Sequence, residues 1–264
     1  MCLIVIDWQP DTETPLLLIS NRDEFYQRDS KRAHYWNDAA HIFGGRDLEK
    51  SGTWLAVSKT GKLAAVTNYR EPNPPEKTLS RGAIPHAFLL GDQSAEEFAQ
   101  SLKLSREDYP GFNALLFDGS SLIYVNNRSS QPVQAVTPGL YGLSNHLLDS
   151  PWPKVLGAKE AIASIRSQTQ EQCSIEEKEN RYLAVMQNQH TAEDEDLPVT
   201  GVHEDIERML SPAFIVSPSY GTRTSSVVTI NRVLGARFTE RNYFPGGLEF
   251  EQQTHAIPFT LRSP

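Results

Sequence analysis

Cys2-Leu3-Ile4-Val5-Ile6-Asp7 opens the chain, and Pro15-Leu16-Leu17-Leu18-Ile19-Ser20-Asn21-Arg22-Asp23-Glu24 follows after a polar turn containing Pro10. Both runs are short, apolar and rich in β-branched side chains. With a proline turn between them, residues 2–7 and 15–21 are expected to be neighbouring strands. The second run closes on four polar residues, three of them charged, which need partners wherever they are buried. The first run begins on a thiol one residue behind the initiator methionine.

Outward from this pair the pattern repeats. Residues 54–58 and 63–67 read as a hairpin around Lys59-Thr60-Gly61-Lys62, where the glycine can supply the positive φ of a tight loop. The proline-rich stretch 71–76 is expected to be a loop, since proline cannot donate to a ladder. Ser94 with Glu97 forms a capping box before Phe98 and Leu102, and 82–90 reads as a helix. Strands are expected at 114–118, 122–126, 134–137 and 141–144. Helices follow at 155–165, after a second box of Ser174 with Glu177, and at 202–210, with the acidic 193–196 as a solvated loop. The last strands are 214–216, 226–231, 237–241 and 248–252. The segment after Glu24, through Trp36, reads as an aromatic-rich loop. The connections are mostly too short for βαβ crossovers, so the order describes a layered α/β domain of mainly antiparallel sheets.

The 264 residues allow a sizeable core, and 39% hydrophobic with 22% charged residues is the balance of an ordered globular chain. A net charge of -8 without a basic stripe argues against nucleic-acid binding. The start lacks the basic leader and cleavage site of a signal peptide, and the apolar runs are too short to span a bilayer. Cys2 and Cys173 alone provide no disulfide framework, so a cytoplasmic location is the simplest expectation. The seven histidines form no HxxxH or HExxH pair, and no metal site is expected.

Several residues can carry chemistry. Loss of Met1 would put a thiol and an α-amine on Cys2. Their ordinary pKa values of roughly 8.5 and 8 let the amine take the thiol proton. A Cys there can equally be a small apolar residue starting a buried strand. Arg22 and Asp23 can orient thiolate and amine, or form an ion pair in a solvated turn. Asn68 and Asn145, at strand ends, can donate to an oxyanion or bond their own turns. Arg223, within Tyr220-Gly221-Thr222-Arg223-Thr224-Ser225-Ser226, can meet a carboxylate or phosphate, or belong to a plain turn. Gly44-Gly45 matches no nucleotide-binding motif.

Met1-Cys2-Leu3-Ile4, Ser20-Asn21-Arg22-Asp23-Glu24-Phe25-Tyr26, Gly44-Gly45-Arg46-Asp47, Gly52-Thr53-Trp54-Leu55-Ala56-Val57, Gly61-Lys62-Leu63-Ala64-Ala65-Val66-Thr67-Asn68-Tyr69-Arg70, Ser80-Arg81-Gly82, Tyr141-Gly142-Leu143-Ser144-Asn145 and Tyr220-Gly221-Thr222-Arg223 occur in this order. Together they resemble the NRDE family, the transport and Golgi organisation 2 proteins. Residues 168–203 carry no motif of that family. The resemblance implies a single NRDE-type domain over 1–264. Its implied class is α+β, a four-layer αββα sandwich of antiparallel sheets of the N-terminal-nucleophile hydrolase type, like cholylglycine hydrolases and penicillin V acylases.

Carried over, Cys2 would be the nucleophile toward linear amides, Asn68 an oxyanion donor, Asn145 a second polar group and Arg223 a late-strand arginine. Those hydrolases place an Arg and an Asp three positions apart. Here Arg22 and Asp23 are adjacent and would face opposite ways in a continuing strand. Aligning Glu24 with that Asp would instead put Asn21 at the Arg position. The family is also associated with haem trafficking and with lipid or acyl-coenzyme A homeostasis. The expected partner is therefore a small molecule: an acyl amide, haem as a bound ligand with no cofactor required, or an acyl-coenzyme A. Phe25, Tyr26 and Trp36 are expected to form an apolar wall for it, with Asn21 and Glu24 beside them and Arg22 or Arg223 meeting a carboxylate. Cys2 is expected in the deepest pocket, near Asn21 to Glu24 and Asn68.

Overall fold

The computed structural model describes residues 2–74, 76–168, 173–247 and 249–261. Strand β1 (Cys2–Trp8) pairs antiparallel with β2 (Leu16–Phe25), Cys2 opposite Arg22 and Trp8 opposite Leu16. β2 is longer than the apolar run implies, because it carries Asn21 to Glu24 inside the sheet. It continues because β11 (Tyr220–Asn231) pairs along its other side. β10 (Gly139–Leu143), β12 (Gly235–Tyr243) and β13 (Phe250–Ile257) complete a six-stranded sheet in the order β10-β1-β2-β11-β12-β13.

The second sheet has seven strands: β3 (Ser30–Trp36), β4 (Ala39–Asp47), β5 (Leu55–Ser58), β6 (Leu63–Asn68), β7 (Phe112–Phe117), β8 (Leu122–Asn126) and β9 (Val133–Ala135), in chain order. The expected loop through Trp36 in fact contains β3, and β4, where no strand was expected, pairs with it. Register shifts break their pairing between Lys31 and His34 and between Tyr35 and Trp36, which scrambles the two-residue alternation. The expected strand at 214–216 reduces to one bridge, Val216 with Gly221. The expected strand at 248–252 begins on Leu248, outside the described residues, as is Pro75 of the proline loop; β13 starts at Phe250.

Between the sheets lies a core of Ile4, Ile6, Leu18, Phe43, Leu55, Ala65, Leu115 and Phe238. The outer face of the seven-stranded sheet packs on α1 (Ala83–Leu90) and α2 (Ala95–Ser105) through Ala64, Leu116, Ile84 and Phe88. The outer face of the six-stranded sheet packs on α3 (Pro153–Gln168) and α4 (Ile175–Val185) through Leu3, Val5, Ile162 and Leu183. This is the α+β, αββα layering, with both predicted capping boxes formed, at Ser94/Glu97 and Ser174/Glu177. A short α5 (Glu204–Met209) follows. Among the described residues no helix is long and apolar enough to cross a membrane.

Candidate active site

Cys2 is half-buried at the start of β1, on the strand face it shares with its partner Arg22. Arg22, 5% exposed, lies over the Trp54 ring at 4.1 Å. It donates to the Ser30 hydroxyl at 3.3 Å and stands 3.9 Å from the Glu24 carboxylate. β2 does continue as a strand, so Asp23 faces the other way. It is 1% exposed and accepts from the Thr222 hydroxyl at 2.6 Å. Its backbone N–H points at the Cys2 sulfur and favours the thiolate. Burial pushes the thiol up and the Asp23 charge adds to that, while Arg22 opposes it. The Asp23 carboxyl is also pushed up by burial, against Lys154, the Thr222 hydroxyl and Arg22.

The Cys2 carbonyl accepts from the Ser144 hydroxyl at 3.0 Å, and that hydroxyl also reaches Asn145 Oδ1 at 3.3 Å. Asn145, fully buried, donates to the Asn68 carbonyl at 2.9 Å, and the Arg70 N–H donates to the Asn145 carbonyl at 2.7 Å. The ends of β1, β6 and β10 are thus bound into one polar network, which links the Asn68 carbonyl through Asn145 and Ser144 to the Cys2 carbonyl. Asn145 acts there by holding the end of β6.

The other expected residues are distributed differently. Asn21 is fully engaged: its Nδ2 donates to the Met186 and Ala213 carbonyls at 2.8 and 2.7 Å, and its Oδ1 accepts from Ser225. Arg223 is the bulged residue between Thr222 and Thr224 and donates to the carbonyls of Phe25 and Arg28 at 3.0 and 2.9 Å. It fastens the loop after β2. Glu24 lies 3.7 Å from Arg28. Phe25 is exposed against the edge of Tyr220, and Tyr26 packs its hydroxyl where any Gly221 side chain would go. Trp36 is 1% exposed in the core under α1, donating to the Gly44 carbonyl at 3.0 Å. The expected wall of Phe25, Tyr26 and Trp36 therefore loses its last member: a ring closed in by the helix layer has no face for a ligand.

The cavity at Cys2 is small, about 10 Å³, room for one water. Ser20, Asn21, Trp54, Leu55, Ala65 and Val66 line it with Cys2 and Ile4. Cys2 was expected in the deepest pocket; the space beside it is small, and larger cavities lie elsewhere. A groove of about 680 Å³ lies at the other end of β1, between Asp7, Leu17, Arg166, Lys178, Tyr182 and Arg237.

The sequence reading passed over a buried charged group behind the site. Arg70, 5% exposed, is ion-paired with Glu207 and lies over Trp152 at 4.7 Å. Lys154, 8% exposed, donates to the Leu210 carbonyl at 2.8 Å, and burial lowers it to about 8. A signal existed: a lysine in a helix's first turn opposes the macrodipole and marks a special site. Among the described residues no cluster of His, Cys, Asp and Glu is arranged to hold a metal.

The profile of the family described as Transport and Golgi organisation 2 matches residues 1–245. A human Transport and Golgi organization protein 2 homolog is 31% identical over 282 aligned residues, covering 100% of both chains. The Drosophila melanogaster Transport and Golgi organization protein 2 is 28% identical over 85% of each chain. Among solved structures, a conjugated bile acid hydrolase from Clostridium perfringens, a C2A mutant, superposes with a TM-score of 0.51 over 99% of both chains at 10% identity. That likeness is one of fold.

Proposed function

The chain belongs to the Transport and Golgi organisation 2 family, and on that premise we propose that it is a thiol amidohydrolase of the N-terminal-nucleophile kind, acting on linear C–N amide bonds. The observation that carries the reading is the placement of Cys2 at the open start of β1, opposite Arg22 and under the Asp23 N–H. In this reading Met1 is removed and the freed α-amine takes the proton from the thiol. The sulfur adds to the amide carbonyl, and the Asn68 amide meets the oxyanion. Collapse breaks the C–N bond, and the ammonium returns its proton to the departing amine. Water, deprotonated by the same amine, then releases the acid from the thioester.

A panel of acyl amides tests this against processed, Met1-retaining and Cys2→Ala protein. Turnover confined to the processed form, with a thioester adduct in the intact mass, supports the reading; equal background in all three overturns it.

The large groove far from Cys2 favours a second reading, a carrier for haem or an acyl-coenzyme A. Its volume falls in the range of small-molecule sites, and Arg166, Lys178 and Arg237 stand along it. Saturable binding without turnover, unchanged by Cys2→Ala, would select it.

A further inference from the structure

We propose that the polar pocket beside Trp54 binds a carboxylate that the substrate carries about 10 Å from its scissile amide, a reach of two strand spacings. It rests on the amidase reading for that substrate, but occupancy of the pocket can be measured without turnover.

Cys2 begins a row that crosses the six-stranded sheet. Cys2 lies opposite Arg22, Arg22 opposite Thr224, Thr224 opposite Asn242 and Asn242 opposite Glu251. Side chains paired across strands share a face, and Ile4 and Ile6 of the Cys2 face belong to the core between the sheets. The row therefore looks toward the other sheet. At about 4.8 Å per strand, Thr224 stands about 10 Å and Asn242 about 14 Å from Cys2.

Over the far part of the row lies a pocket of about 370 Å³, walled by Ser30, Lys31, Trp54, Arg223, Thr224 and Asn242. Trp54 also lines the small cavity at Cys2, so one ring borders both spaces. The roof is fastened. The Ala33 N–H donates to Glu240 at 2.9 Å and the Ala33 carbonyl accepts from Gln253 at 2.8 Å, which ties β3 to β12 and β13.

In a chain of net charge -8 this pocket is cationic. Arg32 and Glu251, 2.8 Å apart on its rim, answer one another. Lys31 makes no side-chain hydrogen bond or ion pair among the described residues. Arg223 gives only Nη1 to the Phe25 and Arg28 carbonyls. Among the described residues its Nε and Nη2 have no partner, and that edge is one a carboxylate meets with two parallel hydrogen bonds. The Ser30 hydroxyl accepts from Arg22 at 3.3 Å and keeps its own proton to donate. A carboxylate here meets two cations and a hydroxyl, with the one acid of the wall already paired.

The spacing selects among amides. An extended chain gains about 3.5 Å for every three bonds, so a carboxylate three bonds from the scissile carbon falls short and one about nine bonds away arrives. N-butyryl-8-aminooctanoate has the second length and N-butyrylglycine the first.

The experiment titrates these acids and their carboxamides calorimetrically into full-length Cys2→Ala protein. N-butyryl-8-aminooctanoate should bind about tenfold more tightly than its carboxamide, while the glycine pair should bind alike. Lys31→Glu, at an exposed position, should erase the tenfold preference. Equal binding of the long acid and its carboxamide, an equal advantage for the short acid, or a preference that survives Lys31→Glu overturns the proposal. A second measurement leaves Lys31 in place. The long acid should move the backbone amide resonances of Lys31 and Thr224, and movement confined to Lys178 and Arg237 along the larger groove also overturns it. Amide turnover without the preference sinks the pocket alone; the preference without turnover sinks only the amidase reading.

Discussion

At Cys2 one atom feels opposed influences: burial and the Asp23 charge oppose the thiolate, while Arg22 and the Asp23 N–H favour it. In the amidase reading, a nucleophile in that balance depends on groups aimed at its transition state. Asn68→Ala should lower the rate of amide cleavage about 10²–10³-fold with little change in KM, the scale for losing one oxyanion donor; an effect confined to KM would assign Asn68 to ground-state binding. A second buried carboxyl, Glu240, is fully enclosed and accepts from the Ala33 N–H at 2.9 Å and from Asn242 at 2.7 Å. Burial raises it above its ordinary 4.5. The folded state therefore holds this proton to higher pH than the unfolded chain does. The associated stability is present below 4.5 and is lost as pH rises through the folded value. Glu240→Gln should remove that loss, so denaturant titrations should show its advantage over wild type growing from pH 4.5 upward. An advantage constant with pH would deny the shift.

Strand β2 is where element-scale reasoning succeeds and fails at once. Its apolar half was legible from residues 15–21 alone, and so were both capping boxes, because caps and alternation are local signals. Ser94→Ala and Ser174→Ala should each cost about 1 kcal/mol in urea unfolding, the usual value of an N-cap. The polar half of β2 is stranded only because β11 bonds its free side, with a bulge at Arg223 resetting the register. Likewise β3 and β4 were hidden by their irregular pairing. In β4, Gly45 makes room for the ring that supports Arg22: a Cβ there would stand 2.2 Å from Trp54 Cζ2. Gly45→Ala should destabilise by about 1–3 kcal/mol, the cost of overpacking, and shift the Trp54 fluorescence. A silent substitution would show that the ring has room to move.

For the whole molecule, the distribution of space separates the two functional readings. Cys2 adjoins a cavity for one water, whereas the groove of about 680 Å³ opens at the other end of the same strands. An amidase must admit its acyl group beside Trp54, so Trp54→Ala should raise turnover of bulky amides relative to small ones. A carrier should instead lose affinity for an anionic ligand several-fold in Lys178→Glu, read by calorimetric titration, and ignore Trp54→Ala. The sequence by itself determined the antiparallel layering, the leading thiol, and the Arg22, Asp23, Asn68 and Asn145 set, since these lie in local patterns at strand ends. Only the tertiary structure decided which of them meet. It enclosed Trp36 in the outer core, fully engaged Asn21, turned Arg223 toward backbone carbonyls, paired Arg70 with Glu207 and buried Lys154 against the Leu210 carbonyl. The reason is physical: hydrogen bonds and charge balance in a buried site join residues more than a hundred positions apart, and no local period records such a pairing.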